Sequence, residues 1–197
     1  MIMTREESLE QEYKVAKQKS AKPMLWVSMI SMTMMFIGLT SAYIISSKRE
    51  DWVSFELPSA LYISTLLLLL SSVTFFLAKK TISNNNRQLT TLFLLTTLLL
   101  GLGFVYFQIE GFYQLQEAGL YLTGKGSVVS ASLLLVISFA HILHVLAGFI
   151  VLIVVIYNHF KKRYNATETL GLELGAIFWH FVDILWILLF LFFYFIR

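Results

Sequence analysis

Five apolar stretches, each close to the ~20 residues that a helix needs to cross bilayer hydrocarbon, divide this 197-residue chain. They run approximately over 23–47, 57–79, 88–109, 128–157 and 171–196, with polar connections between them. No water reaches backbone N–H and C=O groups inside hydrocarbon, so a spanning segment must close its hydrogen bonds within itself, as a helix does. The pattern predicts an all-α membrane protein: a polar N-terminal tail or surface helix over 1–22 and a five-transmembrane-helix bundle over 23–197. The composition agrees, with 57% apolar and 14% charged residues and a mean hydropathy of +0.74. The chain contains no cysteine. That excludes disulfides, thiolate metal sites and covalent haem attachment through a Cys-x-x-Cys-His run.

Lysine and arginine set the expected orientation, because cytoplasmic loops carry the excess of both. Arg5, Lys14, Lys17, Lys19 and Lys22 precede the first span, Lys79, Lys80 and Arg87 surround the second loop, and Lys161, Lys162 and Arg163 lie in the fourth. Lys48, Arg49, Lys125 and Arg197 fall on the opposite side, so the bias is eleven to four. The N-terminus is expected inside and the C-terminus outside. Because the basic residues flank spans, the net charge of +3 reads as a topology signal and not as a nucleic-acid surface. The breaker Asn84-Asn85-Asn86 marks one turn, Gly119, Gly124 and Gly126 mark another, and Pro58 falls near the first turn of the second span.

Ionisable residues in the spans carry the functional signal. An Asp at the centre of a membrane helix costs roughly 2.5–3.5 kcal/mol on insertion scales, so such a group marks a functional site by default. Phe178-Trp179-His180-Phe181-Val182-Asp183 lies mid-span, with His180 and Asp183 on one helix face and Glu173 on the same stripe. His141, His144 and Gly148 share a face of the fourth span at the same expected depth, which favours packing of the two faces together, with Gly148 allowing close approach. Three readings stand open for this layer: polar contacts between helices or with lipid headgroups, a haem or metal held by residues such as His144 and His180, and a proton relay. No Glu-x-x-His occurs, the pattern that di-metal helical bundles use. Glu110 ends the predicted third span, the Met-rich first span (Met24, Met29, Met32, Met34, Met35) reads as adaptable packing, and the hydroxyls of the second span read as small-residue contacts.

With these motifs in order, the chain resembles subunit III of the haem–copper oxidases in its short five-helix form. The resemblance rests on Glu173 placed seven residues before His180 of the run Trp179-His180-Phe181-Val182-Asp183-Ile-Leu-Trp186, on His141-x-x-His144-Val145-x-x-Gly148, and on Leu57-Pro58, Ser64-Thr65 and Leu70-Ser71-Ser72-x-Thr74. It departs where family members of the mitochondrial type carry a Glu after a Ser in the first retained helix; here Met32 follows Ser31, with Gly38, Ala42 and Tyr43 in register. It departs again at Gln108-Ile109-Glu110, one residue tighter than the family's Gln-x-x-Glu.

The resemblance implies an accessory chain without haem, copper or substrate site of its own, in the inner (plasma) membrane of a bacterium. Haem and copper are then expected in partner subunits, subunit I is the direct partner, and subunit II and a larger respiratory supercomplex lie beyond it. Bound phospholipid and support of proton uptake are implied as well. His141, His144, Glu173, His180 and Asp183, with Glu110, Trp179 and Trp186, are the site residues so marked. An accessory subunit of a nitric oxide reductase and a stand-alone transporter remain alternatives.

The orientation is directly testable. A cysteine placed in the Asn84–Asn86 turn is expected to be shielded from an impermeant thiol reagent applied outside, and one placed at Gly124 to be labelled. The reverse pattern would overturn the assignment.

Overall fold

The computed structural model describes residues 5–124, 127–164 and 169–196, so Lys125, Gly126 and Arg197 lie outside the described residues. Five helices account for almost all of it: α1 (Arg5–Ser46), α2 (Ser59–Ser83), α3 (Arg87–Glu117), α4 (Val129–Phe160) and α5 (Leu170–Ile196). All five are long and apolar enough to span a membrane, and only an isolated bridge between Tyr121 and Ser127 interrupts the all-α character of the described residues. The protein is a five-helix membrane bundle.

α1 differs from the sequence expectation at its start. The polar segment before Lys22 is not set off by a loop, and α1 continues through Pro23 into the apolar span. A proline inside a helix removes one backbone donor. Here the freed carbonyl belongs to the Lys19 turn, where Lys19 and Ser20 are exposed and water can take the donor's place. α3 likewise continues past Ile109 to Glu117, which puts Glu110 inside the helix and not at its end.

α2, α3, α4 and α5 pack as a ring of neighbours, and α1 lies against α4 and α5 only. The α2–α3 hairpin turns at Asn84–Asn86, where Asn85 takes a left-handed φ of 56° that asparagine tolerates better than most residues. The Asn86 side chain then accepts from the Leu89 N–H at 3.3 Å and starts α3. Hydroxyl pairs run up this hairpin, with Thr81 to Thr90 at 2.9 Å and Thr74 to Thr97 at 2.8 Å. Further along, Gln108 Nε2 donates to Ser64 Oγ at 3.0 Å. Side chains of this kind must find partners within the bundle, because lipid supplies none.

Two glycines set the closest crossings. A Cβ at Gly101 would stand 2.9 Å from Phe149 Cε1 and 3.1 Å from Trp179 Cη2, and one at Gly175 would stand 2.9 Å from Val155 Cγ2. Gly148 was expected to bring backbones together, but a Cβ there would meet the Trp179 ring at 3.4 Å, an ordinary contact. Gly101→Ala and Gly175→Ala are therefore expected to destabilise the bundle by about 1–3 kcal/mol through overpacking, and Gly148→Ala to change it least. Thermal unfolding of the three variants in detergent tests this ordering.

Candidate functional site

Trp179 occupies the middle of the four-helix ring. Its Nε1–H donates to Ser71 Oγ of α2 at 3.0 Å, and its indole lies between Gly101 of α3 and Gly148 of α4. Phe75 and Phe149 meet the ring edge-on at centroid distances of 6.3 and 5.5 Å. Seven residues on, Trp186 repeats the arrangement. It is fully buried, and its Nε1–H donates to Thr65 Oγ1 at 3.0 Å. Two turns of α5 thus hang on two turns of α2 by indole-to-hydroxyl hydrogen bonds.

His180 and Asp183 face α2 as well. His180 Nδ1 and Ser72 Oγ are 2.6 Å apart. Ser72 thus ties a half-buried imidazole of α5 to α2, one turn from the Asp183 carboxyl of 2% exposure. Asp183 Oδ2 has no hydrogen-bond partner among the described residues.

The α4 histidines lie elsewhere. His141 is wholly buried in an aromatic cage, with its centroid 5.0 Å from Trp186, 6.0 Å from Phe104 and 6.2 Å from Phe36. Neither of its ring nitrogens has a hydrogen-bond partner among the described residues. His144 sits against Phe36 of α1 at 5.5 Å, and its Nδ1–H donates to the Ala140 carbonyl one turn back at 2.7 Å. The single polar layer expected between α4 and α5 is thus divided, with His180 and Asp183 turned to α2 and His141 and His144 turned to aromatic rings. The heptad position of Trp186 explains the division, since its indole fills the space between α5 and His141.

Glu173 stands at the start of α5, where its Oε2 pairs with Lys22 Nζ of α1 at 3.1 Å and its Oε1 accepts from the Thr169 hydroxyl at 3.2 Å. A cavity of about 420 Å³ connects its surroundings to His180. Glu110 is half-buried on α3, away from this group. Met32, at the position where the resemblance leads one to expect a carboxylate, packs against the apolar core. Among the described residues no three His, Asp or Glu side chains converge to hold a metal ion. His144 looks toward α1 and His180 toward α2, so the two do not face one common haem space.

The α2 hydroxyls are the functional residues that the sequence undervalued. Thr65 and Ser71 are six positions apart and Trp179 and Trp186 seven, so the two sets match in spacing along antiparallel helices. That match was the available signal.

A family model described as "Cytochrome c oxidase subunit III" matches residues 2–197. Among curated proteins, the chain is similar to cytochrome c oxidase subunit 3 of Corynebacterium diphtheriae, 34% identical over 100 residues, which is 51% of this chain and 47% of that protein. The same-named protein of Aedes aegypti is 32% identical over 94 residues, 48% of this chain and 34% of its own length. That of Spodoptera frugiperda is 30% identical over 87 residues, 44% and 57% respectively. The matched stretch therefore spans about half or less of the first two relatives.

The indole hydrogen bonds are expected to couple measurably. Double-mutant cycles pairing Trp179→Phe with Ser71→Ala, and Trp186→Phe with Thr65→Val, should each return about 0.6 kcal/mol, the average for such bonds within membranes. A coupling indistinguishable from zero in both cycles would mean that the rings hold α5 by packing alone.

Proposed function

Because this chain belongs to the cytochrome c oxidase subunit III family, we propose that it is a cofactor-free accessory subunit of a proton-pumping haem–copper terminal oxidase in aerobic respiration. In this reading it binds subunit I directly, holds phospholipid and supports proton uptake. Subunit II belongs to the same complex, and the membrane is the inner membrane of a bacterium. The observation that carries the reading is how the polar residues of the bundle are used. Ser64, Thr65, Ser71, Ser72, Gln108, Trp179, Trp186 and His180 join helix to helix, which is the chemistry of a scaffold and not of a redox centre.

A scaffold of this kind acts on its partner through shape and surroundings. α1 presents Met24, Trp26, Ile30, Met34, Ile37 and Ile45 outward, an apolar face suited to lipid or to a partner helix. Large patches of this sort mark interaction or membrane surfaces. Methionine side chains adapt to irregular neighbours, so the face can follow a partner's contour. Support of proton uptake follows if the subunit shapes the protein and lipid environment at the oxidase surface where protons enter.

Removing the subunit from the purified oxidase and following oxygen consumption and proton release over many turnovers tests this. Oxygen reduction is expected to start at close to its normal rate, with weaker pumping or earlier inactivation. An initial rate and durability both unchanged would refute the supporting role. Immediate loss of oxygen chemistry in an otherwise assembled complex would refute the accessory role.

A further inference from the structure

α1 meets the rest of the bundle in a seven-residue rhythm. Met29, Phe36 and Tyr43 are buried at intervals of seven, and Lys22, one interval earlier, holds Glu173 at 3.1 Å. A helix that repeats its contacts every seven residues presents its other faces in the same rhythm. On the outward side, Val27, Ile30, Met34, Ile37, Ser41 and Ile44 alternate steps of three and four, and all are exposed. That is the spacing of a coiled-coil seam.

Lipid accounts for exposed apolar residues within the span, but not for what precedes it. The apolar span begins at Lys19, and α1 runs on back to Arg5, about 21 Å further at 1.5 Å per residue. Leu9, Tyr13, Ala16 and Ser20 occupy the same alternating register there, where no hydrocarbon calls for an apolar stripe. A helix of that length is marginal in water unless an apolar face packs on something. Two features of the span agree. Thr33 and Thr40 donate to carbonyls one turn back at 2.9 Å, whereas the exposed Ser41 makes no hydrogen bond among the described residues. Beside the stripe, a Cβ at Gly38 would meet nothing within 4 Å, which leaves room for a second helix to come close.

We propose that this stripe is the seam of a homodimer, in which two copies of the chain pair along α1 from Leu9 to Ile44. Copies inserted into one membrane point the same way, so the pairing is parallel. An interface between identical surfaces must be complementary to itself. In a parallel pair, the residue before one seam position faces the residue after the next seam position on the other helix. Glu12 and Lys17 hold those two places in the register, so each Glu12 stands across from a Lys17 and no like charges meet. Ser41 falls on the seam itself and meets its own counterpart, where one hydroxyl donates and the other accepts. The pairing goes beyond the accessory role proposed above, does not depend on it, and would join one such complex to another.

The chain has no cysteine, so single cysteines report on the seam without background. The full-length chain in its native membranes, with its partner subunits present, is oxidised with copper phenanthroline. Ile30→Cys and Ile37→Cys should each give a cross-linked species at twice the 22.6 kDa of the chain. Met35→Cys, exposed but off the seam, should not. Adding Lys17→Glu to Ile30→Cys should lower the yield roughly fivefold, as expected when two exposed pairs turn from attraction to repulsion. Adding Glu12→Lys as well should restore it, which separates loss of pairing from loss of fold. No cross-linked dimer, an equal yield at Met35→Cys, indifference to Lys17→Glu, or no recovery on the charge swap would each overturn the proposal. So would mass-spectrometric identification of a different protein, and not a second copy, in the Ile37→Cys product.

Discussion

The indole of Trp179 is the point at which the four-helix ring is fixed. One side chain from α5 meets a hydroxyl of α2, a glycine of α3 and a glycine of α4. An indole inside hydrocarbon needs both a large apolar surround and a single acceptor for its N–H. The bundle supplies the first through Gly101, Gly148, Phe75 and Phe149, and the second through Ser71. Both requirements restrict geometry. The acceptor sets the rotation of α5 against α2, and Gly101 sets how near α3 can stand. With α5 so fixed, His180 and Asp183 have no choice but to face Ser72.

The ionisable residues of the bundle are accommodated in two different ways. His180 bonds to the Ser72 hydroxyl and lines a cavity that opens to the polar end of the bundle, so it retains contact with polar surroundings, while Asp183 lies buried behind it. His141 is instead sealed among Phe36, Phe104 and Trp186. A neutral imidazole can be treated as an aromatic ring there, with edge and face contacts of the kind that pairs of rings favour. The price is two nitrogens without partners among the described residues, and the tilted stacking on Trp186 is its visible compensation.

The five helices were legible because length and hydropathy decide the matter in a membrane, where the backbone has few alternatives. The family was legible because Trp179-His180-Phe181-Val182-Asp183 and His141-x-x-His144 keep their order and spacing. Element ends were less so. α3 reaches Glu117 and α1 passes through Pro23, because helices project beyond hydrocarbon into regions where hydropathy carries no signal. The partners of His180 and Asp183 were not legible either. Placing both histidine faces at one depth is correct as arithmetic along each helix, but depth says nothing of rotation. Rotation is set by Trp179 and Trp186 finding Ser71 and Thr65, and such pairing appears only when two helices are set side by side.

The arrangement of α1 has a consequence for synthesis. Among the five helices it emerges from the ribosome before the others, yet it packs only against α4 and α5, through pairs such as Phe36 with His141, Tyr43 with Phe193 and Lys22 with Glu173. α2 and α3 can zip together across their asparagine turn as soon as both are inserted. At ~5–20 residues per second, α1 stays in the bilayer without its partners for on the order of ten seconds. During that interval the flank that carries Phe36 and Tyr43, buried in the finished bundle, faces lipid alone, and a chaperone or insertase that shields Lys22 and Tyr43 would act then or not at all.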